Sequence, residues 1–204
     1  MIVVPGPLAD YDLVVVDVET TGWLPAEATI TEIGAVRVTG GQLTGEFSLL
    51  VRPFEPIPTD IRELTGITDA MVSRAPPIYT ALSAFLTFAK GSVLVAHNAP
   101  FDLGFLTAAC TASGIRWPPR AIIDTAVLAR LLLGPDDVPD CRLATLAAYF
   151  ETHTAPCHRA LADAKATAGV LAGLLEIAAG TRPRPARDKT GAAPADPAVL
   201  GMAS

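Results

Sequence analysis

An α/β domain, a mixed sheet with helices packed on its faces, is the fold class that the sequence predicts. Three observations carry it. Strand candidates come first: Leu13–Glu19 is rich in valine, and Thr29–Val38 and Glu46–Arg52 follow, separated from each other by the turn signal Gly40–Gly41. Beyond them a short apolar strand alternates with helix candidates, as in layered sheet-and-helix folds. Half of the 204 residues are apolar, enough for one domain of ordinary size with a substantial core.

The elements follow in order. Pro5, Gly6 and Pro7 form a loop ahead of the first strand, and the three strand candidates suggest an antiparallel start. Thr59–Gly66 reads as a short helix, and Pro76–Pro77 marks the approach to another that runs through Lys90. Val93–Ala96 is a short buried strand, His97–Pro100 a turn, and a helix is expected from about Phe101 to Ser113. Later helices are expected near Thr125–Leu133, Arg142–Phe150 and Ala160–Ala178. From Thr181 onward, Pro183, Pro185, Pro194 and Pro197 alternate with alanine, glycine and charge, and apolar periodicity stops. The expected organisation is one domain over residues 1–180 and a disordered Pro/Ala-rich tail over 181–204.

Bulk properties narrow the function classes. A net charge of −6 disfavours a protein that grips long duplex, which needs a basic face. An enzyme that holds a few terminal nucleotides needs fewer phosphate contacts, and bound divalent ions would offset clustered carboxylates. No membrane span or signal peptide is visible, so a cytoplasmic location is expected. Cys110, Cys141 and Cys157 match no zinc spacing and read as reduced thiols.

Three short pieces carry chemistry. Val15, Asp17 and Glu19 alternate along one strand and share a face, while Val14, Val16 and Val18 point the other way. Two carboxylates on a valine-rich strand conflict with burial, and such local conflicts mark functional positions. Their Cα atoms would lie ~6.8 Å apart, and both side chains can converge on a metal pair at the usual ~3.5–4 Å spacing. Hard carboxylate oxygens suit Mg²⁺ or Mn²⁺. Read alone, the pair also fits a solvated strand end.

The second piece is His97-Asn98-Ala99-Pro100-Phe101-Asp102, which brings Asp102 near a helix start. Alone, Asp102 fits a helix cap, although capping leaves His97 and Asn98 without a reason. The third is His158-Arg159-Ala160-Leu161-Ala162-Asp163. Five residues along a single helix point roughly 140° apart. With His158 in the preceding loop and Asp163 one turn inside, both can face one cleft, and Pro156 supports that approach. A loop histidine and a solvated aspartate remain the plain alternative.

Together and in this order the three pieces resemble the DnaQ-like family of 3′→5′ exonucleases, in its subgroup with four acidic residues and a histidine. Asp17-Val18-Glu19-Thr20-Thr21-Gly22 is similar to the first motif, and the pieces ending in Asp102 and Asp163 to the second and third. Glu32-Ile33-Gly34-Ala35-Val36, Leu64-Thr65-Gly66-Ile67-Thr68 and Asp124-Thr125 agree with it. The resemblance covers about Tyr11 to Ala178, and its nearest flavour is the proofreading subunit or domain of bacterial replicative DNA polymerases.

The resemblance implies a ribonuclease H-like, mixed five-stranded sheet flanked by helices. It implies two divalent ions, Mg²⁺ or Mn²⁺: one on Asp17, Glu19 and Asp163, the other on Asp17 and Asp102. His158 becomes the general base, since an imidazole suits proton removal near neutral pH. Thr20, Thr21 and Gly22 fall where the terminal 3′-OH is held, and Leu64 and Thr65 beside the terminal base, with Asn98 and Phe101 supporting that pocket. His97 and Asp124 read as supporting residues, and Trp23 as a base-stacking ring or a lid over the core. The implied substrates are single-stranded or frayed 3′ ends of DNA, with a DNA polymerase subunit as an implied partner. Two other readings stay open: an exoribonuclease that trims RNA ends, and a catalytically silent module that docks on a polymerase.

Overall fold

A computed structural model describes Leu8 and residues 10–181. The tail expected over 181–204 lies, apart from Thr181, outside the described residues. The elements in chain order are β1 (Leu13–Thr20), β2 (Ile30–Thr39), β3 (Gln42–Leu50), α1 (Thr59–Thr65), α2 (Asp69–Val72) and α3 (Ile78–Phe88). They continue with β4 (Val93–Ala96), α4 (Ala99–Ala112), β5 (Ile122–Asp124), α5 (Thr125–Leu132), α6 (Leu143–Tyr149) and α7 (Ala160–Ala178).

The five strands form one mixed sheet in the order β3-β2-β1-β4-β5. β1–β2 and β2–β3 pair antiparallel, while β1–β4 and β4–β5 pair parallel. The antiparallel start and the mixed five-stranded sheet are as the sequence implies. Three details differ. β3 begins at Gln42 rather than Glu46, because Gly40 and Gly41 both take positive φ (58° and 73°) and close a two-residue hairpin that pairs Thr39 with Gln42 at once. α4 begins at Ala99, since Pro100 sits in its first turn, where a missing N–H costs nothing. β5 and the single turn α2 are too short to leave a period in the sequence.

The alternation along β1 separates two cores. Val14, Val16 and Val18 pack with Leu82 and Phe85 of α3 and Phe105 and Leu106 of α4. Leu13 and Val15 pack on the other face with Val36, Val95 and the α7 residues Ala168 and Leu171. α5, α6 and α7 share a third cluster through Ala129, Leu146, Phe150 and Val170. Ile57, Ile61, Ile67 and Val72 hold the α1–α2 segment together. Among the described residues, no helix is long and apolar enough to cross a membrane.

Candidate active site

Asp17 and Glu19 lie on the α7 face of β1, in line with Leu13 and Val15. What brings α7 to them is a glycine. Gly34 of β2 is the register partner of Asp17, and a Cβ there would lie 2.1 Å from both the Ala160 carbonyl carbon and the Leu161 nitrogen. Only glycine lets the backbone of α7 rest on β2 at this point. The first turn of α7 then presents Asp163, buried at 6% exposure, beside the acidic strand.

Asp102 arrives from the opposite side. β1 pairs with β4 only over Leu13–Val15, so β1 runs on beyond its parallel neighbour. The Val18 N–H on that stretch donates to Asp102 Oδ1 at 3.0 Å. Asp102 is therefore not the cap of α4. That role belongs to Asp124, whose carboxylate accepts from the backbone N–H groups of Asn98 (3.1 Å) and Ala99 (3.0 Å) at α4, and of Ala126 (2.9 Å) and Val127 (3.2 Å) at α5. One carboxylate staples two helix starts, with His97 Nδ1 2.9 Å from the Thr125 hydroxyl beside it.

The loop before α7 is tied on both sides of His158. The Cys157 N–H donates to Asp163 Oδ1 at 2.8 Å. Arg159 donates through Nε and Nη2 to the two Glu32 oxygens at 3.0 and 2.9 Å, and the Ala160 N–H adds a third bond to Glu32 at 3.2 Å. His158 itself is exposed and has φ 55°, a left-handed conformation that costs a non-glycine residue about 1–2 kcal/mol. One nitrogen of its ring and one oxygen each of Glu19 and Asp163 lie within 4.8 Å of one another.

The electrostatics follow from crowding. Burial, and then the charges of Asp102, Asp163, Glu19 and Glu32, hold the Asp17 carboxyl well above its ordinary range. Burial together with Asp163 and Glu32 pushes Glu19 up to about 8. Burial likewise raises Asp102 to about 8, against the pull of the Val18 N–H, and raises Asp163 against the pull of the Cys157 N–H. Four carboxyls with raised pKa values in one place call for an external cation.

A cleft of about 140 Å³ opens over this cluster, with Asp17, Glu19, His158 and Asp163 on one wall. Thr20, Gly22, Trp23, Leu64, Thr65 and Phe101 form the rest of it, along with Val18 and Ile61.

The sequence model of an exonuclease family, RNase T, matches residues 14–171. The chain belongs to this exonuclease family. It is 51% identical over 176 residues to a Mycobacterium tuberculosis protein named as a bifunctional exonuclease/endonuclease, covering 83% of this chain and 27% of that one. It is 42% identical over 165 residues to a PolC-type DNA polymerase III of Caldanaerobacter subterraneus subsp. tengcongensis, covering 81% of this chain and 12% of the polymerase. The chain thus spans about a quarter or less of these relatives. Among solved structures, Exonuclease X in complex with 5′-overhanging duplex DNA superposes with a TM-score of 0.66 at 30% identity, covering 82% of this chain and 93% of that one. The fold is that of the ribonuclease H-like exonucleases.

In this member of the family the cleft gathers most of the residues that the motifs single out. Asp102 and Asn98 are not among the residues lining it: Asp102 is held on the Val18 N–H of β1 at 2% exposure, and Asn98 takes the left-handed turn that starts α4. Thr21 also stands back, its hydroxyl accepting from the Thr29 N–H at 2.9 Å. The Thr20 hydroxyl donates to the Gly22 carbonyl and so shapes the turn. The Thr65 hydroxyl closes the end of α1, donating to the Ile61 carbonyl and accepting from the Ile67 N–H. Trp23 is 66% exposed at the rim, its ring 6.5 Å from that of Phe101, so it is no lid over the core. Two residues join the site that motif spacing does not single out, Glu32 and Gly34. Their signal is a carboxylate and a glycine at alternate positions of a strand rich in apolar residues.

Proposed function

We propose that this exonuclease removes nucleotides from the 3′ ends of DNA, releasing nucleoside 5′-monophosphates. The observation that carries the reading is the meeting of Asp17 and Glu19 from β1 with His158 and Asp163 from the α7 entry, in one cleft with an apolar far wall. The donor set fits a pair of Mg²⁺ or Mn²⁺ ions: oxygen ligands, raised carboxyl pKa values and no internal counter-charge on Asp17. Asp17, Glu19 and Asp163 would hold one ion and Asp17 and Asp102 the other. Such ions supply a more acidic water and stabilise charge on the leaving oxygen.

The chain's own residues do the rest. His158, exposed at the cleft mouth, takes the proton of the attacking water as its oxygen bonds to the terminal phosphorus. The bond from that phosphorus to the 3′-oxygen of the preceding nucleotide breaks, leaving a 5′-monophosphate and a new 3′ end. Trp23, Leu64 and Phe101 offer apolar surface for an unpaired base. Unstacking and unpairing are worth a few kcal/mol, so frayed or mismatched ends react first. The similarity to a segment of PolC-type polymerases supports a proofreading or repair role.

The test is hydrolysis of 5′-labelled single-stranded DNA, mismatched duplex and RNA, with Mg²⁺, Mn²⁺ or chelator. Stepwise, metal-dependent shortening of DNA from the 3′ end is expected, faster on mismatched than on matched ends. Faster turnover of RNA would transfer the reading to RNA ends, and chelator-resistant cleavage would defeat the metal mechanism.

A further inference from the structure

Among the described residues Glu32 is the most enclosed carboxylate, at 1% exposure, and it takes no part in the mechanism above. It stands opposite Glu19 in the β1–β2 register, close enough to raise that residue's pKa, yet its two oxygens are taken up by other partners. Both are occupied: Arg159 grips them side by side, and the Ala160 N–H adds a third bond. α7 has no cap of its own, because Arg159 at the N-cap position offers its first turn no side-chain acceptor. Glu32 supplies that acceptor from a neighbouring strand, at the positive end of a 19-residue helix.

We infer that Glu32 and Arg159 form a latch that positions His158 for proton transfer, a role that rests on the exonuclease reading. The residues flanking His158 are both fastened, Cys157 to Asp163 and Arg159 to Glu32. Between these two ties the backbone is held at φ 55°, which leaves the exposed ring within reach of Glu19 and Asp163. The Asp163 carboxylate also draws on the backbone N–H groups of His158 and Arg159, and the Glu32–Arg159 pair is the tie to the neighbouring strand. The Arg159 side chain remains 41% exposed, so it can be altered without opening the core. Gly34, two residues along β2 on the same face as Glu32, lets α7 come near enough for the latch to close.

The test uses Glu32→Gln and Arg159→Lys, alone and combined with His158→Ala, in single-turnover cleavage of labelled DNA. Glutamine keeps the shape but loses the paired charge, and lysine cannot form the two parallel bonds. Each change is expected to lower the rate about tenfold or more with KM little altered, since misplacement by about 1 Å costs up to ~10²-fold. In the His158→Ala background neither change lowers the rate further. A second readout needs no activity: in metal-free protein the His158 ring carbon-bound proton resonance, assigned by its loss in His158→Ala, should move toward that of a free histidine when the latch is cut. Equal losses in both backgrounds, or an unmoved resonance, would overturn the latch. An inactive wild-type protein would instead remove the exonuclease reading, and the latch with it. Arg159→Lys keeps the question answerable if Glu32→Gln does not fold.

Discussion

Two pairs of carboxylates lie within a few residues of the same cleft and live under opposite conditions. Asp124 accepts four backbone N–H groups, and Glu32 accepts three donors from Arg159 and Ala160. Asp17 and Glu19 accept no hydrogen bond from the described residues and sit among like charges that, after burial, raise their pKa values. Burial is similar for Glu19 and Glu32, at 8% and 1% exposure, so solvent access does not separate the pairs. Partners do. Donors that satisfy a carboxylate make it architecture, whereas a carboxylate denied them is kept for a cation that arrives later.

The contrast can be broken by substitution. Asp17→Asn should have the largest effect, a loss of roughly 10⁴-fold in kcat, as expected when metal stabilisation worth several kcal/mol disappears. The same variant should melt a few degrees higher than the wild type in chelator, because one of the crowded charges is gone. A lower melting point there would mean that Asp17 is structural after all. His158→Ala should reduce kcat by ~10²–10⁴-fold while Mn²⁺ binding, followed by calorimetry, stays near wild type. Unchanged cleavage by that variant would remove the proposed base.

Asp124→Ala should behave in the opposite sense. Loss of a cap costs ~0.5–2 kcal/mol at each helix, and two starts are affected, so the melting point should drop by several degrees. The activity of the molecules still folded should fall less than tenfold. A melting point equal to wild type would show that the staple contributes nothing.

The smallest expected effect is on pH dependence. For Glu19 and Asp102 the folded-state pKa of about 8 exceeds the ordinary values of 4.5 and 3.8, so the folded protein binds more protons in that interval. Their contribution is therefore complete below about pH 4 and declines as pH rises through 8. Metal-free protein should melt lower at pH 8.5 than at pH 5.5, and added Mg²⁺ should reverse most of the difference. A flat profile without metal would contradict the crowding of Asp17, Glu19 and Asp102.

Much of this was legible in the residues. The valine alternation of Leu13–Val18 assigns each side chain to one of two cores, and the structure keeps that assignment. Pro156 ahead of His158 foretells the loop that precedes α7, whose range Ala160–Ala178 is as expected. What the sequence could not disclose depends on contacts between distant segments. β5 exists because three residues find the free edge of β4. Asp102 and Asp124 are both aspartates next to helix starts, and only the course of β1 beyond β4 decides which of them caps and which meets the acidic strand. Nor does the sequence show that Glu32 is paired with Arg159, 127 residues later.

Gly34 has a consequence for how the cleft is dimensioned. Where helices rest on sheets through side chains, the gap between them follows the volume of whatever residues intervene, and it drifts as cores are repacked. Here the entry of α7 meets β2 backbone to backbone, so the spacing between Asp17 and Asp163 is gauged by the radii of main-chain atoms. Such a gauge has no intermediate settings. Substitutions elsewhere in the hydrophobic layers can change how firmly the helix is seated, but the distance across which the proposed metal ligands face one another stays the same until residue 34 itself is replaced.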